Sequence, residues 1–133
     1  MSRSVAAWLE KNTSSTPAGA RRAGRIADGL NPIAFSAEVV PALATTFRQA
    51  AQEAGRDPAA LTVVVRANVP LTSEPLGDGR PFLGGSPSQI AEDLARLEPA
   101  AVDEVFFSNR EADDLDTEVR LLEELRAAVA AVG

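Results

Sequence analysis

The sequence predicts an α/β protein in which parallel strands alternate with helices. Two runs are nearly continuous in apolarity and rich in β-branched or aromatic residues, as expected of strands covered on both faces of a parallel sheet. They cover residues 61–69 (LTVVVRANV) and 102–107 (VDEVFF). Apolar residues at steps of three and four before and after these runs indicate helices. This alternation is typical of folds built from right-handed crossover connections.

Two helices are predicted before the first strand. One covers residues 17–27 and has Thr16 as its N-cap, followed by a proline, which is favoured at the first helical position. The next helix begins at Ser36 or Pro41 and ends at Gly55, a typical C-cap residue. Its buried face is predicted to comprise Leu43, Phe47, Ala50, Ala51 and Ala54.

Two further helices are predicted after the first strand. Residues 70–85 form a loop rich in glycine and proline, and the sequence Ser86-Pro87-Ser88-Gln89 then supplies a capping box. The helix that it opens extends to about Leu97, with Ile90, Leu94 and Leu97 pointing inward. The last helix covers residues 114–132, with acidic residues at its start that suit the helix dipole. Its apolar face is predicted to comprise Leu115, Val119, Leu122, Leu125, Val129 and Val132.

Length and composition indicate a single domain over residues 1–133, with residues 1–15 as an irregular start. Hydrophobic residues make up 45% of the chain and charged residues 24%, which is typical of soluble globular proteins. Histidine, cysteine and tyrosine are absent. This excludes thiolate chemistry and the commonest general base, so no catalytic residue and no metal ligand is predicted in this chain.

Charge and hydropathy narrow the range of partners. Residues 1–56 contain seven basic and four acidic groups, whereas residues 57–133 contain six basic and fifteen acidic groups. An acidic half argues against nucleic-acid binding. No apolar run approaches the ~20 residues that a membrane span requires, and no signal-peptide core is recognisable at the start. We therefore expect a cytoplasmic protein that binds neither membrane nor nucleic acid.

Four segments, in order, carry a resemblance to a known family. They are residues 21–32 (RRAGRIADGLNP), 53–58 (EAGRDP), 83–94 (LGGSPSQIAEDL) and 102–106 (VDEVF). Together they resemble segments of the bacterial luciferase-like oxidoreductases, particularly the short forms that use the deazaflavin coenzyme F-420. The resemblance covers residues 8–132.

The resemblance implies the fold and the cofactor. It implies the C-terminal part of a (β/α) TIM-type barrel, because a complete barrel takes roughly 250 residues and the first strands have no counterpart here. It also implies a cofactor, either coenzyme F-420 or FMN, lying at the C-terminal ends of the strands. The substrate is set in this family by loops that are mostly outside this chain.

The family binds the cofactor phosphate near the turn that precedes the first predicted helix. The corresponding residues here are Asn12, Thr13, Ser14, Ser15 and Thr16. Free N–H groups and the positive dipole at a helix start favour phosphate, although a capped helix start explains the same residues. Glu10-Lys11 replaces the glycine pair that is usual in the family, and Glu10 adds negative charge there.

A second candidate for cofactor binding is the glycine turn Gly84, Gly85 and Ser86 before the third helix. Glycines allow backbone to approach a phosphate closely, but the same residues also suit a structural helix cap. The structural alternative is favoured for this turn.

Three functional hypotheses follow from these features. The first is a portion of a luciferase-like oxidoreductase or monooxygenase that is inactive without the missing N-terminal half of the barrel. The second is a non-catalytic α/β binding or dimerisation module, in which a homodimer covers the exposed strand edges. The third is a carrier that binds the cofactor without turnover.

Overall fold

A parallel sheet with helices packed on one face forms the protein, for which a computed structural model describes residues 15–108 and 114–132. The described elements are α1 (Pro17–Ile26), β1 (Gly29–Leu30), α2 (Val39–Glu53), β2 (Thr62–Ala67), α3 (Pro87–Arg96), β3 (Glu104–Phe107) and α4 (Leu115–Val132). Short 3-10 turns, Pro58–Ala60 and Glu98–Ala100, lead towards β2 and β3. The predicted alternation of strands and helices is confirmed.

The three strands lie in the order β1-β2-β3, and both neighbouring pairs are parallel. Val64 of β2 is opposite Glu104 of β3, and Arg66 is opposite Phe106. Backbone pairing continues beyond the short β1, because Ala34 N–H donates to the carbonyl of Arg66 at 3.0 Å. The segment that follows β1 therefore continues alongside β2 as far as residue 34.

The core lies between the sheet and the helices. Val63, Val65 and Ala67 on one face of β2 are fully buried and belong to the same apolar cluster as Phe47 of α2. Since successive side chains of a strand point to opposite faces, the alternate residues point away from the helices. We call this second surface the open face; it comprises Asn31, Val64, Arg66, Glu104 and Phe106.

The first two helices begin close to where they are predicted. The Thr16 hydroxyl accepts a hydrogen bond from Gly19 N–H at 3.0 Å and caps α1. The Ser36 hydroxyl accepts from Val39 N–H at 3.1 Å, so Ser36 rather than Pro41 marks the start of α2. At the other end, the prediction that Ala54 is buried is wrong. Ala54 is the exposed C-cap of α2 and lies beyond the part that packs on α1.

The prediction that the second strand is buried on both faces is wrong. In β3, exposed and half-buried residues alternate, and the Phe106 side chain is 39% exposed. Among the described residues, β3 pairs only with β2 and is covered by helices on one face only. It is an edge strand, and its apolar residues on the open face lack the second layer that the sequence pattern anticipates.

The predicted apolar face of the last helix is only partly correct. Leu125 is buried, but the second buried position is Leu121 rather than Leu122. The reason is that α4 packs against α3, so only one margin of its wide apolar face is covered. The other five predicted residues remain 37% to 76% exposed and form what we call the α4 stripe: Leu115, Val119, Leu122, Val129 and Val132.

Candidate functional site

The candidate site lies at the edge of the sheet where the parallel strands end. Loops that leave the C-terminal ends of parallel strands meet at one edge, which is where α/β proteins bind ligands. Here the loops 31–38 and 68–86 leave β1 and β2 and lead into α2 and α3. The start of α1 reaches the same edge, since Ile33 N–H donates to the Ser15 hydroxyl at 3.0 Å. Both predicted cofactor-binding segments therefore have described residues at this edge.

At the start of α1, the predicted phosphate turn is described from Ser15 onwards. Ser15 and Thr16 use their hydroxyl oxygens to accept backbone N–H groups, from Ile33 and Gly19 respectively. The predicted residues Asn12, Thr13 and Ser14 lie outside the described residues, so their role in binding phosphate stays a prediction.

The glycine turn before α3 has its backbone N–H groups already bonded within the chain. Gly84 N–H donates to the Pro81 carbonyl at 3.0 Å, and Gly85 N–H to the Pro70 carbonyl at 2.9 Å. Ser86 N–H donates to the side-chain oxygen of Gln89 at 3.1 Å as part of the predicted capping box. All three turn residues are also buried. The structural role that we favoured for this turn accounts for each of these groups, and its role in cofactor binding stays a prediction.

A buried carboxylate supports the same loop. Asp93 is 2% exposed and accepts hydrogen bonds from Leu83 N–H at 2.8 Å and from the Arg80 guanidinium at 2.7 Å. This hydrogen bond raises the pKa of Arg80 above its ordinary value, more than burial lowers it. Arg80 also donates to the Gly84 carbonyl at 2.9 Å. Asp93 thus holds the loop against α3 through its hydrogen bonds to Leu83 and Arg80.

Two polar atoms on the open face are buried and have no hydrogen-bond partner among the described residues. They are Nε of Arg66, a donor, and Oδ1 of Asn31, an acceptor. Buried polar groups are usually paired, so each of these atoms has the capacity to form a hydrogen bond with a water molecule or a ligand. Sequence reasoning did not select Arg66, although its position inside an otherwise apolar strand was a signal. Asn31 lies within the motif at residues 21–32 that carries part of the family resemblance.

The chemistry available in the described part of the chain is limited. No group of three or more acidic residues there is arranged to hold a metal ion. None of the described helices is long and apolar enough to cross a membrane. Glu104 is the carboxylate of the open face, and it is exposed at the edge strand. The site therefore offers hydrogen-bonding and charged groups for binding rather than a self-contained catalytic set.

Comparison with known proteins supports the resemblance seen in the sequence. Residues 12–75 match the model of a family described as luciferase-like monooxygenase. The match includes the predicted phosphate turn and α1, and it ends before the glycine turn at Gly84. The resemblance to luciferase-like oxidoreductases is thereby confirmed. No curated protein matches the sequence.

Solved structures confirm the fold. The chain is similar to an F420-dependent secondary alcohol dehydrogenase solved with an F420-acetone adduct, with a TM-score of 0.68 and 14% identity over 85% of this chain. It is also similar to the coenzyme F420-dependent tetrahydromethanopterin reductase from Methanopyrus kandleri, with a TM-score of 0.66 and 14% identity over 83% of this chain. The matches span 46% and 47% of those chains. The chain is thus an α/β unit that corresponds to part of a TIM-type barrel.

Proposed function

We propose that this relative of the luciferase-like monooxygenases is the C-terminal portion of an oxidoreductase that uses a deazaflavin or FMN. We further propose that it has no turnover unless the rest of the barrel is supplied. The observation that carries the proposal is the match to nearly half of two F420-dependent enzymes, together with the family match over residues 12–75. A cytoplasmic location belongs to the same proposal.

Of the two candidate turns, the start of α1 fits the phosphate of such a cofactor better than the glycine turn at Gly84 does. Ser15 and Thr16 stand at the start of α1, where the Ser15 hydroxyl and the helix dipole would hold a phosphate. The turn at Gly84, by contrast, offers no unbonded N–H group at its three residues. When bound, a deazaflavin or flavin supplies the centre that accepts or donates hydride. This chain would contribute phosphate binding and the barrel wall formed by its open face.

The residues of the open face support the proposed lack of turnover. It presents Arg66 and Asn31, which can donate and accept hydrogen bonds, and Glu104, which is exposed to solvent. Hydride transfer also requires that water be excluded from the reacting atoms. No described helix packs on the open face, so the described residues give that face no second layer of their own.

The test is to titrate the purified chain separately with coenzyme F-420 and with FMN and to follow cofactor fluorescence. Alcohol- or aldehyde-dependent reduction or oxidation of the cofactor is measured in the same samples. We expect cofactor binding without turnover, with the binding weakened by the double variant Ser15→Ala and Thr16→Ala. The double variant Thr45→Ala and Thr46→Ala, in the middle of α2 and away from the candidate edge, is the control. Turnover by the chain alone would refute the incomplete-enzyme proposal.

A second candidate function is a non-catalytic binding or dimerisation module. The uncovered open face and the exposed α4 stripe favour it. If neither cofactor binds, this candidate replaces the first. If one cofactor binds tightly and adding the missing barrel half from a related enzyme produces no turnover, the chain acts as a carrier.

A further inference from the structure

The sheet ends in two unlike edges, one at each end of the described fold. At one edge, β3 has no further strand among the described residues, and the α4 stripe next to it is exposed. A shallow groove of about 300 Å³ lies between them, lined by Val105, Phe107 and Val129 among others. At the other edge, α1 and β1 are the outermost described elements. Between the two edges lies the open face.

The two edges carry opposite charge. Helix α1 contains three arginines and no acidic residue, and all three are exposed: Arg21, Arg22 and Arg25. Helix α4 contains four acidic residues and two arginines. The open face also carries one charge of each sign. The basic Arg66 lies on the middle strand, and the acidic Glu104 lies on the edge strand β3. Neither side chain forms an ion pair with a described residue.

We propose that two copies of this chain associate head to tail, so that the β3 and α4 edge of each copy meets the α1 and β1 edge of the other. A two-fold axis parallel to the strands makes the two contacts equivalent and brings the two open faces towards each other. The α4 stripe then becomes buried, the basic helix of one copy lies beside the acidic helix of the other, and Arg66 faces the polar groups of the partner.

The length of a second copy, as well as its charge, suits this surface. The chain corresponds to 46% and 47% of the two solved chains that it matches. Two copies together are therefore similar in length to one of those chains. The inference rests on the barrel arrangement within the proposed function, but it does not require that a cofactor bind.

Sedimentation velocity of the purified chain over a range of concentrations measures the association directly. We expect a dimer of the 13.9 kDa chain. Leu122→Asp on the stripe should raise the dimer dissociation constant at least tenfold. Leu122 is 41% exposed, so the substitution leaves the monomer folded, which far-UV circular dichroism verifies. Ala127→Asp places the same charge at an exposed position of α4 outside the stripe and should leave the dissociation constant unchanged.

A charge reversal separates the head-to-tail arrangement from a symmetric pairing of two β3 edges. Arg21→Glu on α1 should raise the dissociation constant at least tenfold, whereas Glu92→Lys on α3, which lies between the two edges, should not. A monomer at all concentrations, an open-ended series of larger species, or a dimer that tolerates Leu122→Asp or Arg21→Glu would each overturn the proposal. A monomer that still binds coenzyme F-420 would overturn it and leave the proposed function intact.

Discussion

Arg56 holds the end of α1 through Gly24. One nitrogen of its guanidinium donates to the Gly24 carbonyl at 2.6 Å, and the other donates to the Ala27 carbonyl at 2.7 Å. These carbonyls lie at the C-terminal end of α1. Carbonyl groups at that end of a helix have no hydrogen-bond partner within the helix, and the end carries partial negative charge. The contact joins two of the motifs that carry the family resemblance, so the arginine of EAGRDP has a structural role.

Replacing Arg56 with alanine should lower the free energy of unfolding by about 2 kcal/mol, because two hydrogen bonds from a charged group to partly buried carbonyls are lost. Arg56→Lys should recover part of the loss, since an ammonium keeps the charge but not the fork of two donors. Urea denaturation followed by circular dichroism measures both. Arg126→Ala, at an exposed position, is the control; equal losses in Arg56→Ala and Arg126→Ala would refute the assignment.

Gly85 has a backbone conformation that other residues rarely adopt. Its φ is +116°, and an added Cβ would collide with the side-chain oxygen of Gln89 and lie 3.0 Å from Cδ of Arg80. We expect Gly85→Ala to destabilise the protein by about 1–3 kcal/mol, through backbone strain and loss of the capping box.

Gly77→Ala provides a matched control in the same loop, because nothing lies within 4 Å of an added Cβ there. It should change the stability by less than about 0.5 kcal/mol. Thermal unfolding of the two variants side by side gives the comparison. If Gly85→Ala is as stable as Gly77→Ala, the turn accommodates a side chain without strain. The structural role would then not account for the glycine at position 85, and a ligand-binding role would be favoured.

Asp93 and Arg80 form an ion pair in which the Asp93 side chain is buried and the Arg80 side chain is partly exposed. Asp93→Asn keeps the shape of the side chain but removes the charge that balances Arg80 and places an amide against the guanidinium. The Arg80 side chain is 23% exposed. Solvent therefore compensates in part, and we expect a loss of about 2–3 kcal/mol, below the range for a fully buried pair.

Asp78→Asn is the control for this prediction, because Asp78 is an exposed carboxylate in the same loop. Chemical denaturation of both variants measures the difference in unfolding free energy. Should Asp93→Asn be as mild as Asp78→Asn, Asp93 would not be the group that holds the loop against α3.

Short-range sequence patterns predicted where helices begin better than they predicted which side chains are buried. The capping box of Ser86 and Gln89 lies within four residues, and the observed hydrogen bonds match it. The choice between Leu121 and Leu122 could not be made locally. The apolar face of α4 is wider than its contact with α3, and only tertiary packing decides which margin is buried. Likewise, the docking of Arg56 on Gly24 joins residues 32 positions apart, a distance that no periodicity encodes.

The sequence predicts at which edge of the sheet the candidate site residues lie, but it does not predict the hydrogen bonds that they form. Parallel strands imply that functional loops gather where the strands end, and Ser15 does lie there through its bond to Ile33. That Gly85 donates to the Pro70 carbonyl is a property of the folded loop. The pattern G-G-S-P alone cannot distinguish a phosphate cradle from a closed turn, because both need glycine for the same conformational reason.

Asp114 should make the start of α4 sensitive to acid. Its carboxylate accepts hydrogen bonds from the Thr117 hydroxyl at 2.5 Å and from Thr117 N–H at 2.9 Å, and these bonds hold the pKa of Asp114 below its usual range. A carboxyl group whose pKa is lowered on folding contributes stability above its unfolded pKa, and this contribution is lost as the pH falls through the folded value. The first turn of α4 should therefore fray in acid while it stays formed at neutral pH.

Amide exchange at Thr117, measured by NMR against pH and corrected for the intrinsic exchange rate, reports this directly. Asp114→Asn keeps an oxygen acceptor but cannot ionise, so protection at Thr117 should be lower at neutral pH and nearly independent of pH. Glu123→Gln, at an exposed position of the same helix, should retain the acid-dependent loss. If protection in Asp114→Asn still falls in acid as steeply as in the unaltered chain, a different group controls the start of α4.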